Sequence, residues 1–230
     1  MVVKILRKAF YKAVGLNPLI DRLIRYRNPK AYWKKRGGEG YFQEQEAVLD
    51  RTLRSQFIAE KINQLEFKSL LEIGCGYGKQ LQNFRSRNAL IVGCDFSRPQ
   101  LLKAKEFCKG QNLALIEADA ETIPFKDKTF DAVLSSAVIL HNQYEKARKI
   151  ISEMIRISRK YLIHNEDTDI TFSRYGYDMK KTYEKMNFKI IESIEIPTSP
   201  EPWHTQFTIV ELTSSAQWVK PEDITLEYHR

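Results

Sequence analysis

The chain has 230 residues, of which 43% are hydrophobic and 29% charged, so it can bury the core of one sizeable domain and is not wholly disordered. Its apolar runs fall short of the roughly 18 to 20 residues that a membrane-spanning helix needs. The three cysteines, Cys75, Cys94 and Cys108, lack the close spacing of a zinc site or a disulfide framework. Free thiols in a reducing compartment are expected.

The net charge of +8 is unevenly distributed along the chain. Residues 1–38 hold 11 basic side chains and one acid, a net of +10, whereas the other 192 residues hold 26 basic and 28 acidic side chains, a net of −2. The positive charge therefore belongs to an N-terminal arm, which argues against a uniformly basic nucleic-acid-binding domain.

The arm has the pattern of two short amphipathic helices. Apolar residues recur at helical spacing in residues 2–16 beside a lysine stripe, and Asn17 and Pro18 are typical of the start of a second helix. Charges interrupt the apolar residues throughout, so a secretory signal peptide is not indicated. Pro29 and the glycines of residues 37–40 predict a flexible connection between the arm and the rest of the chain.

From residue 45 the pattern becomes that of an alternating α/β domain. Residues 44–64 are helical in period, with an inward stripe of Val48, Leu49, Leu53, Phe57, Ile58 and Ile62. Five short apolar runs then alternate with helix-length segments, at residues 69–73, 89–94, 113–117, 132–135 and 161–164. Such runs are typical of strands buried on both faces of a parallel sheet. Two later runs, 188–196 and 207–212, lack a helix between them and predict an antiparallel hairpin.

The first predicted strand ends in a glycine-rich loop, Gly74-Cys75-Gly76-Tyr77-Gly78. Glycines let the backbone turn sharply and approach a ligand closely, and a helix beginning near Gly78 would direct its amides at that ligand. The nicotinamide dinucleotide pattern requires a glycine at position 79, where this chain has Lys79, and it does not require an acid such as Glu72 before the loop.

Residues 72–78 resemble motif I of the class I S-adenosylmethionine-dependent methyltransferases. Three further matches follow in order: Asp95 at the end of the second strand, Asp119 and Ala120 after the third, and residues 123–133, which are similar to the stretch before strand four in the type 11 small-molecule subgroup. The resemblance covers residues 45–195.

The resemblance implies S-adenosylmethionine as cofactor and S-adenosylhomocysteine as product. It implies that the Asp95 carboxylate accepts hydrogen bonds from the ribose hydroxyls, and that Asp119 and the Ala120 amide meet the adenine edge. The expected cofactor-binding residues are Glu72, Gly74, Cys75, Gly76, Gly78, Asp95, Phe96, Asp119, Ala120 and Ser135.

The predicted fold class is therefore α/β: a Rossmann-like doubly wound sheet, mostly parallel with a C-terminal antiparallel hairpin, flanked by helices and preceded by an N-terminal helical lid. The predicted organisation is an arm or lid at 1–44, the methyltransferase domain at 45–215 and a tail at 216–230.

His141, after strand four, is the candidate catalytic base, because ligands of open α/β sheets bind beyond the carboxyl ends of the strands and histidine titrates near neutrality. The alternative is that His141 packs against or caps the next helix. The polar run at residues 164–169 raises a metal hypothesis. Serines stand where metal-dependent relatives need an acid, at Ser135 and Ser136, so no metal is predicted.

The expected acceptor is a small molecule, which includes lipid- or sugar-linked molecules. Nucleic acid is disfavoured because enzymes that methylate base amino groups have Asn or Asp before Pro-Pro-Tyr after strand four, where this chain has Ser-Ser-Ala-Val. Three alternatives stay open: a catalytically silent cofactor-binding module, an RNA methyltransferase that uses the basic arm, and a nucleotide-dependent oxidoreductase. The oligomeric state is left open.

The arm itself has three interpretations: a lid over the cofactor, an anchor on an anionic membrane surface, or an RNA contact, with the lid preferred. In the lid hypothesis Tyr32, Trp33, Tyr41 and Phe42 close over the methionine end of the cofactor, because aromatic faces suit a sulfonium cation. The expected localisation is cytoplasmic, with peripheral membrane attachment as the alternative.

Overall fold

The computed structural model describes residues 28–47, 49–84, 88–110, 112–171, 174–197, 204–213 and 218–228. The described α-helices are α1 (Pro29–Arg36), α2 (Glu39–Glu46), α3 (Leu49–Asn63), α4 (Arg98–Phe107), α5 (Tyr144–Ile157) and α6 (Met179–Lys185). The described strands are β1 (Ser69–Ile73), β2 (Leu90–Asp95), β3 (Leu113–Glu117), β4 (Phe130–Ser136), β5 (Ser158–Asp167), β6 (Ile170–Thr171), β7 (Arg174–Tyr175), β8 (Tyr177–Asp178), β9 (Lys189–Pro197), β10 (His204–Glu211) and β11 (Glu227–Tyr228).

Seven strands form one sheet in the order β3-β2-β1-β4-β5-β10-β9. Strands β1 to β5 pair in parallel, while β10 runs antiparallel to both β5 and β9. The order reverses between β1 and β4, which is where open α/β sheets bind ligands. The predicted doubly wound sheet with a C-terminal antiparallel hairpin is confirmed.

The core lies on both faces of this sheet. Alternate strand residues pack one face against α5, α6 and the C-terminal segment, and the other face against α3 and α4. In β1, for example, Leu71 and Ile73 belong to the first cluster and Leu70 to the second. Burial on both faces explains why these strands are continuous apolar runs rather than alternating ones.

The predicted helix over residues 44–64 is wrong as one element. The chain forms α2 and then α3, and the backbone of Ala47 ends α2. Ile58 and Ile62 are fully buried as predicted, but Leu53, assigned to the inward stripe, is 55% exposed. No residue of α2 is buried, and residues 44–46 are polar, so the apolar period carries no information on where α2 ends and α3 begins.

Two predicted domain limits fall in packed parts of the molecule. The limit between residues 44 and 45 lies inside α2, and the predicted tail from 216 contributes Ile224 and Leu226 to the core, while β11 pairs with β8. The division of the chain into three segments stays a prediction. Residues 1–27, with both amphipathic helices predicted for the arm, lie outside the described residues.

Candidate cofactor and acceptor site

A cavity of 330 Å³ opens at the carboxyl ends of strands β1 to β5. Eight of the predicted cofactor-binding residues line it: Glu72, Gly74, Cys75, Gly76, Asp95, Phe96, Asp119 and Ala120. They follow three different strands, and the parallel register brings these strand ends to one edge of the sheet. His141, the candidate base, lines the same cavity.

The loop after β1 uses its glycines in two different ways. Gly74 and Gly76 have φ of 60° and 53°, in the left-handed region that favours glycine, and both line the cavity. A Cβ on Gly74 would lie 2.5 Å from Val138 Cγ2, so the loop also needs glycine to pass the segment after β4.

Gly78 departs from the prediction. It faces α4, where a Cβ would lie 2.7 Å from Cys108 Sγ, and it does not line the cavity. No α-helix begins there either, because turns lead into a short 3₁₀ helix, Leu81–Phe84. Gly78 therefore serves the packing of the loop, and its predicted contact with the cofactor stays a prediction.

Asp95 joins the loops after β1 and β2. Its Oδ2 accepts from the Gly76 amide at 3.0 Å and its Oδ1 from the Ser97 amide at 2.7 Å. Burial raises the pKa of this carboxyl, against hydrogen bonds from the Ser97, Gly76 and Phe96 backbones that lower it. The result is a fixed, desolvated acceptor that suits the hydroxyls of a sugar.

Glu72 presents a second buried acid to the cavity. No described residue donates a hydrogen bond to its Oε2. Burial, and after it the charge of Asp95, raises the pKa of Glu72 well above its usual range. A buried carboxyl that lacks a donor fits a ligand that supplies a donor or a positive charge, as an amino-acid ammonium does.

Helix α1 contacts Asp119, the third of the predicted cofactor-binding acids that line the cavity, beside Glu72 and Asp95. Asp119 Oδ2 accepts from Lys30 Nζ, and Glu121 Oε1 lies 3.5 Å from the same ammonium. The hydrogen bond to Asp119 is the main cause of the raised pKa of Lys30. Asp119 and Ala120 line the cavity as predicted, and α1 contacts the predicted adenine position directly.

An aromatic roof, defined as Tyr32, Trp33 and Tyr41, covers the middle of the cavity. The Trp33 ring centroid lies 5.0 Å from that of Tyr32, 5.3 Å from Tyr41 and 5.6 Å from His141. Phe42, placed with these residues in the sequence-based hypothesis, packs instead on Tyr77 and Phe107 and does not line the cavity. The described part of the arm thus lies over the site, as a lid does.

Gly37 packs closely against the domain. A Cβ there would lie 2.8 Å from Gln100 Cγ, 2.9 Å from Ser97 Oγ and 3.1 Å from the Trp33 carbonyl oxygen. We expect Gly37→Ala to displace the lid and to raise the rate at which S-adenosylhomocysteine dissociates, with the far-UV circular dichroism unchanged. Stopped-flow measurement of ligand release tests this, and an unaltered dissociation rate would show that the lid does not retain the ligand.

His141 ends a 3₁₀ helix, Ile139–His141, that follows β4. The buried carboxylate of Glu166 fixes this segment by accepting from the amides of Val138, Ile139 and Leu140, each at 3.2 Å. Ser135, which was predicted to bind cofactor, is fully buried and does not line the cavity. Its hydroxyl donates to Glu166 Oε1 at 2.5 Å and so helps to hold the carboxylate that fixes this segment.

The acids of residues 164–169 are held apart by separate partners. Glu166 binds the segment after β4, Asp167 contacts Arg174, and Asp169 contacts His204, while His164 hydrogen-bonds Tyr183. Within the described ranges, no three His, Cys, Asp or Glu side chains are grouped closely enough to hold a metal ion.

The comparisons with known proteins agree with this geometry. Residues 71–161 match the type 11 family model described as a methyltransferase domain. The chain carries a class I S-adenosylmethionine-dependent methyltransferase domain. This confirms the family recognised from the sequence and, at the level of the family, the predicted enzyme class and cofactor.

Curated relatives match the methyltransferase domain over part of their length. A phosphatidylethanolamine N-methyltransferase of Cereibacter sphaeroides is 35% identical over 95 residues, which are 40% of this chain and 45% of that protein. A tRNA (carboxymethyluridine(34)-5-O)-methyltransferase of Arabidopsis thaliana is 33% identical over 89 residues, 38% of this chain and 20% of that protein. The chain therefore spans less than half the length of these relatives.

Solved structures share the fold of the domain. Magnesium protoporphyrin IX methyltransferase of Synechocystis, with bound S-adenosylhomocysteine, has a TM-score of 0.62 at 17% identity, covering 84% of this chain and all of that one (100%). Phosphoethanolamine N-methyltransferase 1 of Haemonchus contortus has a TM-score of 0.67 at 13% identity, covering 91% of this chain and 53% of that one.

The sequence analysis missed Glu166, which holds the segment that ends in His141. Burial raises the pKa of its carboxyl to about 7, against the hydrogen bonds from Ser135 and three amides, which lower it. In the sequence it stands among other acids and polar residues, so only the contact between β5 and the segment after β4 distinguishes it.

Glu166 should make the stability of the domain depend on pH. Because its pKa is raised on folding, the folded state keeps a proton that the unfolded chain releases between about pH 4.5 and 7, so its contribution to stability is greatest below that window and declines as the pH rises. We expect Glu166 to add a decline of at most about 1.4 kcal/mol per pH unit, so that the free energy of unfolding of Glu166→Gln falls less steeply over this window than that of the unmodified chain. Urea unfolding at pH 4.5 to 8 measures the free energy of unfolding of the unmodified chain and of Glu166→Gln. The same dependence on pH in the two proteins would contradict this assignment.

Proposed function

We propose that the protein transfers the methyl group of S-adenosylmethionine to a small-molecule acceptor that binds beside His141, under the aromatic roof. The observation that carries this proposal is the contact of Trp33 with His141, with 5.6 Å between ring centroids. Helix α1 thereby covers the segment after β4, where an acceptor must meet the cofactor. A covered cavity suits a compact acceptor better than a folded polymer.

The residues present fit the cofactor. Asp95 would accept from the ribose hydroxyls, Asp119 and the Ala120 amide would meet adenine, and Glu72 would face the positively charged amino-acid end. When bound, S-adenosylmethionine supplies a methyl group already made electrophilic by the sulfonium sulfur. The chain's own contribution is therefore to orient the acceptor, exclude water beneath the roof and, where the acceptor is a hydroxyl, take its proton at a His141 ring nitrogen.

Transfer of labelled methyl groups tests the acceptor class. The protein is incubated with methyl-labelled S-adenosylmethionine and, in parallel, with a small-molecule extract and with total RNA. We expect label in the small-molecule fraction. Label in RNA alone would replace the proposal with an RNA methyltransferase, and tight S-adenosylhomocysteine binding without any transfer would favour a silent binding module.

We also propose that the arm acts as a lid rather than as a membrane anchor. The described residues of the arm support this, since Lys30 binds Asp119, Glu39 lies 2.6 Å from Lys103, and Gly37 abuts Ser97. Within the described residues, no helix is long and apolar enough to cross a membrane.

Vesicle sedimentation separates the two roles of the arm, because its basic residues would add roughly 1 kcal/mol each at an anionic surface and lose that in high salt. The full chain and a variant lacking residues 1–38 are compared on anionic and neutral vesicles, and the affinity of each for S-adenosylhomocysteine is measured. A lid predicts weaker ligand binding in the variant and no vesicle binding by either protein. Salt-sensitive vesicle binding that the deletion abolishes, with ligand affinity unaltered, would assign the arm to a membrane surface.

A further inference from the structure

The cavity extends beyond the predicted cofactor residues, over the ends of β4 and β5, and this acceptor end is rich in arginine. Arg51 and Arg54 line it from α3, Arg174 lines it from β7, and Asp167 lines it from β5. Three other basic lining residues pair with other acids: Lys30 with Asp119, Arg36 with Glu44 and Lys79 with Glu46. Two arginines, Arg54 and Arg174, pair with the single carboxylate of Asp167.

Arg54 and Arg174 flank the same carboxylate. Arg174 Nη1 lies 3.0 Å from Asp167 Oδ2 and Arg54 Nη1 lies 3.9 Å from Asp167 Oδ1. Thr205 Oγ1 donates to Asp167 at 2.7 Å and accepts from Arg54 at 2.8 Å. The side chains are 21%, 21% and 16% exposed for Arg54, Arg174 and Asp167, so two guanidinium groups are held in a largely desolvated place at fixed orientation.

Asn165 gives a second, independent sign of a ligand at this end. It lies two residues before Asp167 on β5, so both side chains point to the same face of the strand. The Asn165 Nδ2 donates to Ser136 Oγ at 2.9 Å, while its Oδ1 is buried and receives no hydrogen bond from a described residue. Whichever way the amide is turned, one polar atom of a 6% exposed side chain is left for the cavity.

The position of Arg174 is set by a tight hairpin. Strands β6 and β7 pair over two residues each, and Gly176 follows with φ of 62°. A Cβ on Gly176 would lie 2.5 Å from the Thr168 carbonyl oxygen, so the hairpin folds back closely on the end of β5. This geometry keeps the Arg174 guanidinium beside Asp167.

We propose that the methyl acceptor carries a carboxylate or phosphate group, which binds between Arg54 and Arg174 while its nucleophilic atom faces His141. This inference rests on the proposed methyl transfer. The planar guanidinium fork matches both oxyanions with paired hydrogen bonds, which gives orientation as well as charge. Turned so that its Oδ1 accepts from Ser136 Oγ, the Asn165 amide offers its N–H to the same anion.

The test uses the full chain saturated with S-adenosylhomocysteine, so that the cofactor's own carboxylate is already in place. Inorganic phosphate and succinate are titrated by calorimetry at constant ionic strength in chloride. We expect saturable binding of at least one of them. Arg174→Gln and Arg54→Gln should weaken it by roughly tenfold or more, because each removes a charged donor, and Arg174→Lys should weaken it less.

The matched control is Arg159→Gln. Arg159 lies at the opposite end of β5, where its side chain is 57% exposed and pairs with Asp131, and we expect this variant to bind the anion as the unmodified chain does. Succinate binding alone would assign a carboxylate acceptor, and phosphate binding alone a phosphate ester.

The outcomes separate this inference from the proposed function. Failure of the unmodified chain to bind S-adenosylhomocysteine would overturn the methyltransferase proposal itself. Binding of S-adenosylhomocysteine with no saturable anion binding, or with an anion affinity equal in Arg174→Gln, Arg54→Gln and Arg159→Gln, would overturn only the anionic acceptor. Unchanged S-adenosylhomocysteine affinity in the variants serves as the check that they fold.

Discussion

Asp95→Asn should weaken S-adenosylhomocysteine binding by roughly 2 to 3 kcal/mol, about 30- to 150-fold. The substitution removes from a largely buried place the charged acceptor that we propose for the ribose hydroxyls, and charged hydrogen bonds are stronger than neutral ones. Asp95 now accepts hydrogen bonds from the backbone amides of Gly76 and Ser97. In Asp95→Asn, the NH₂ group of the new side chain faces one of these two donors. The loop after β1 therefore loses part of its support together with the ligand contact.

Isothermal titration calorimetry measures this effect, with Asp127→Asn as the matched control. Asp127 is exposed, pairs with Arg156 and does not line the cavity, so its substitution should leave the affinity unchanged. A folded Asp95→Asn variant that binds S-adenosylhomocysteine as tightly as the control does would remove Asp95 from the site.

His141→Ala should lower the maximal rate of methyl transfer to a hydroxyl acceptor by roughly 10²- to 10⁴-fold, the usual range for loss of a general base. The affinity for S-adenosylhomocysteine should hardly change, because the acids predicted to bind the cofactor, Glu72, Asp95 and Asp119, lie across the cavity over β1, β2 and β3. Since His141 also contacts Trp33, the larger variant His141→Gln is needed to keep the roof in place.

His204→Ala is the control for this measurement. His204 is an exposed histidine that pairs with Asp169 outside the cavity lining, and its loss should leave the rate of transfer unaffected. A base also leaves a signature that packing does not: the pH profile of the maximal rate should lose its acidic limb in both His141 variants. A rate within about threefold of the unmodified chain, with that limb retained, would assign His141 to packing.

Strands were predicted best where they are apolar. Strands β1 and β3 have the predicted bounds, because both consist of continuous runs that the sequence shows directly. Strand β5 is longer than predicted, since its polar residues at 165–167 look like a loop but pair with β10. Polar residues at a strand end are stabilised by partners that are distant in sequence, and no local pattern encodes those partners.

The site residues show the same difference between local sequence patterns and contacts that are distant in sequence. The residues over β1, β2 and β3 were predicted from the resemblance to the methyltransferase family, whose motifs lie at these strand ends. The sequence did not show that Ser135 donates to Glu166, and it gave no sign of Glu166, because their positions depend on a contact between β4 and β5. Arg54 and Arg174, 120 residues apart in the chain, come together only through Asp167, so no sequence motif could have paired them.

We expect the cavity to bind S-adenosylmethionine and not a nicotinamide dinucleotide. Calorimetric titration of the full chain with S-adenosylhomocysteine and, separately, with NADH tests it most directly. We predict saturable one-to-one binding of S-adenosylhomocysteine, weakened by Asp95→Asn, and no binding of NADH at the same concentrations. Binding of NADH by a folded chain that does not bind S-adenosylhomocysteine would contradict the account.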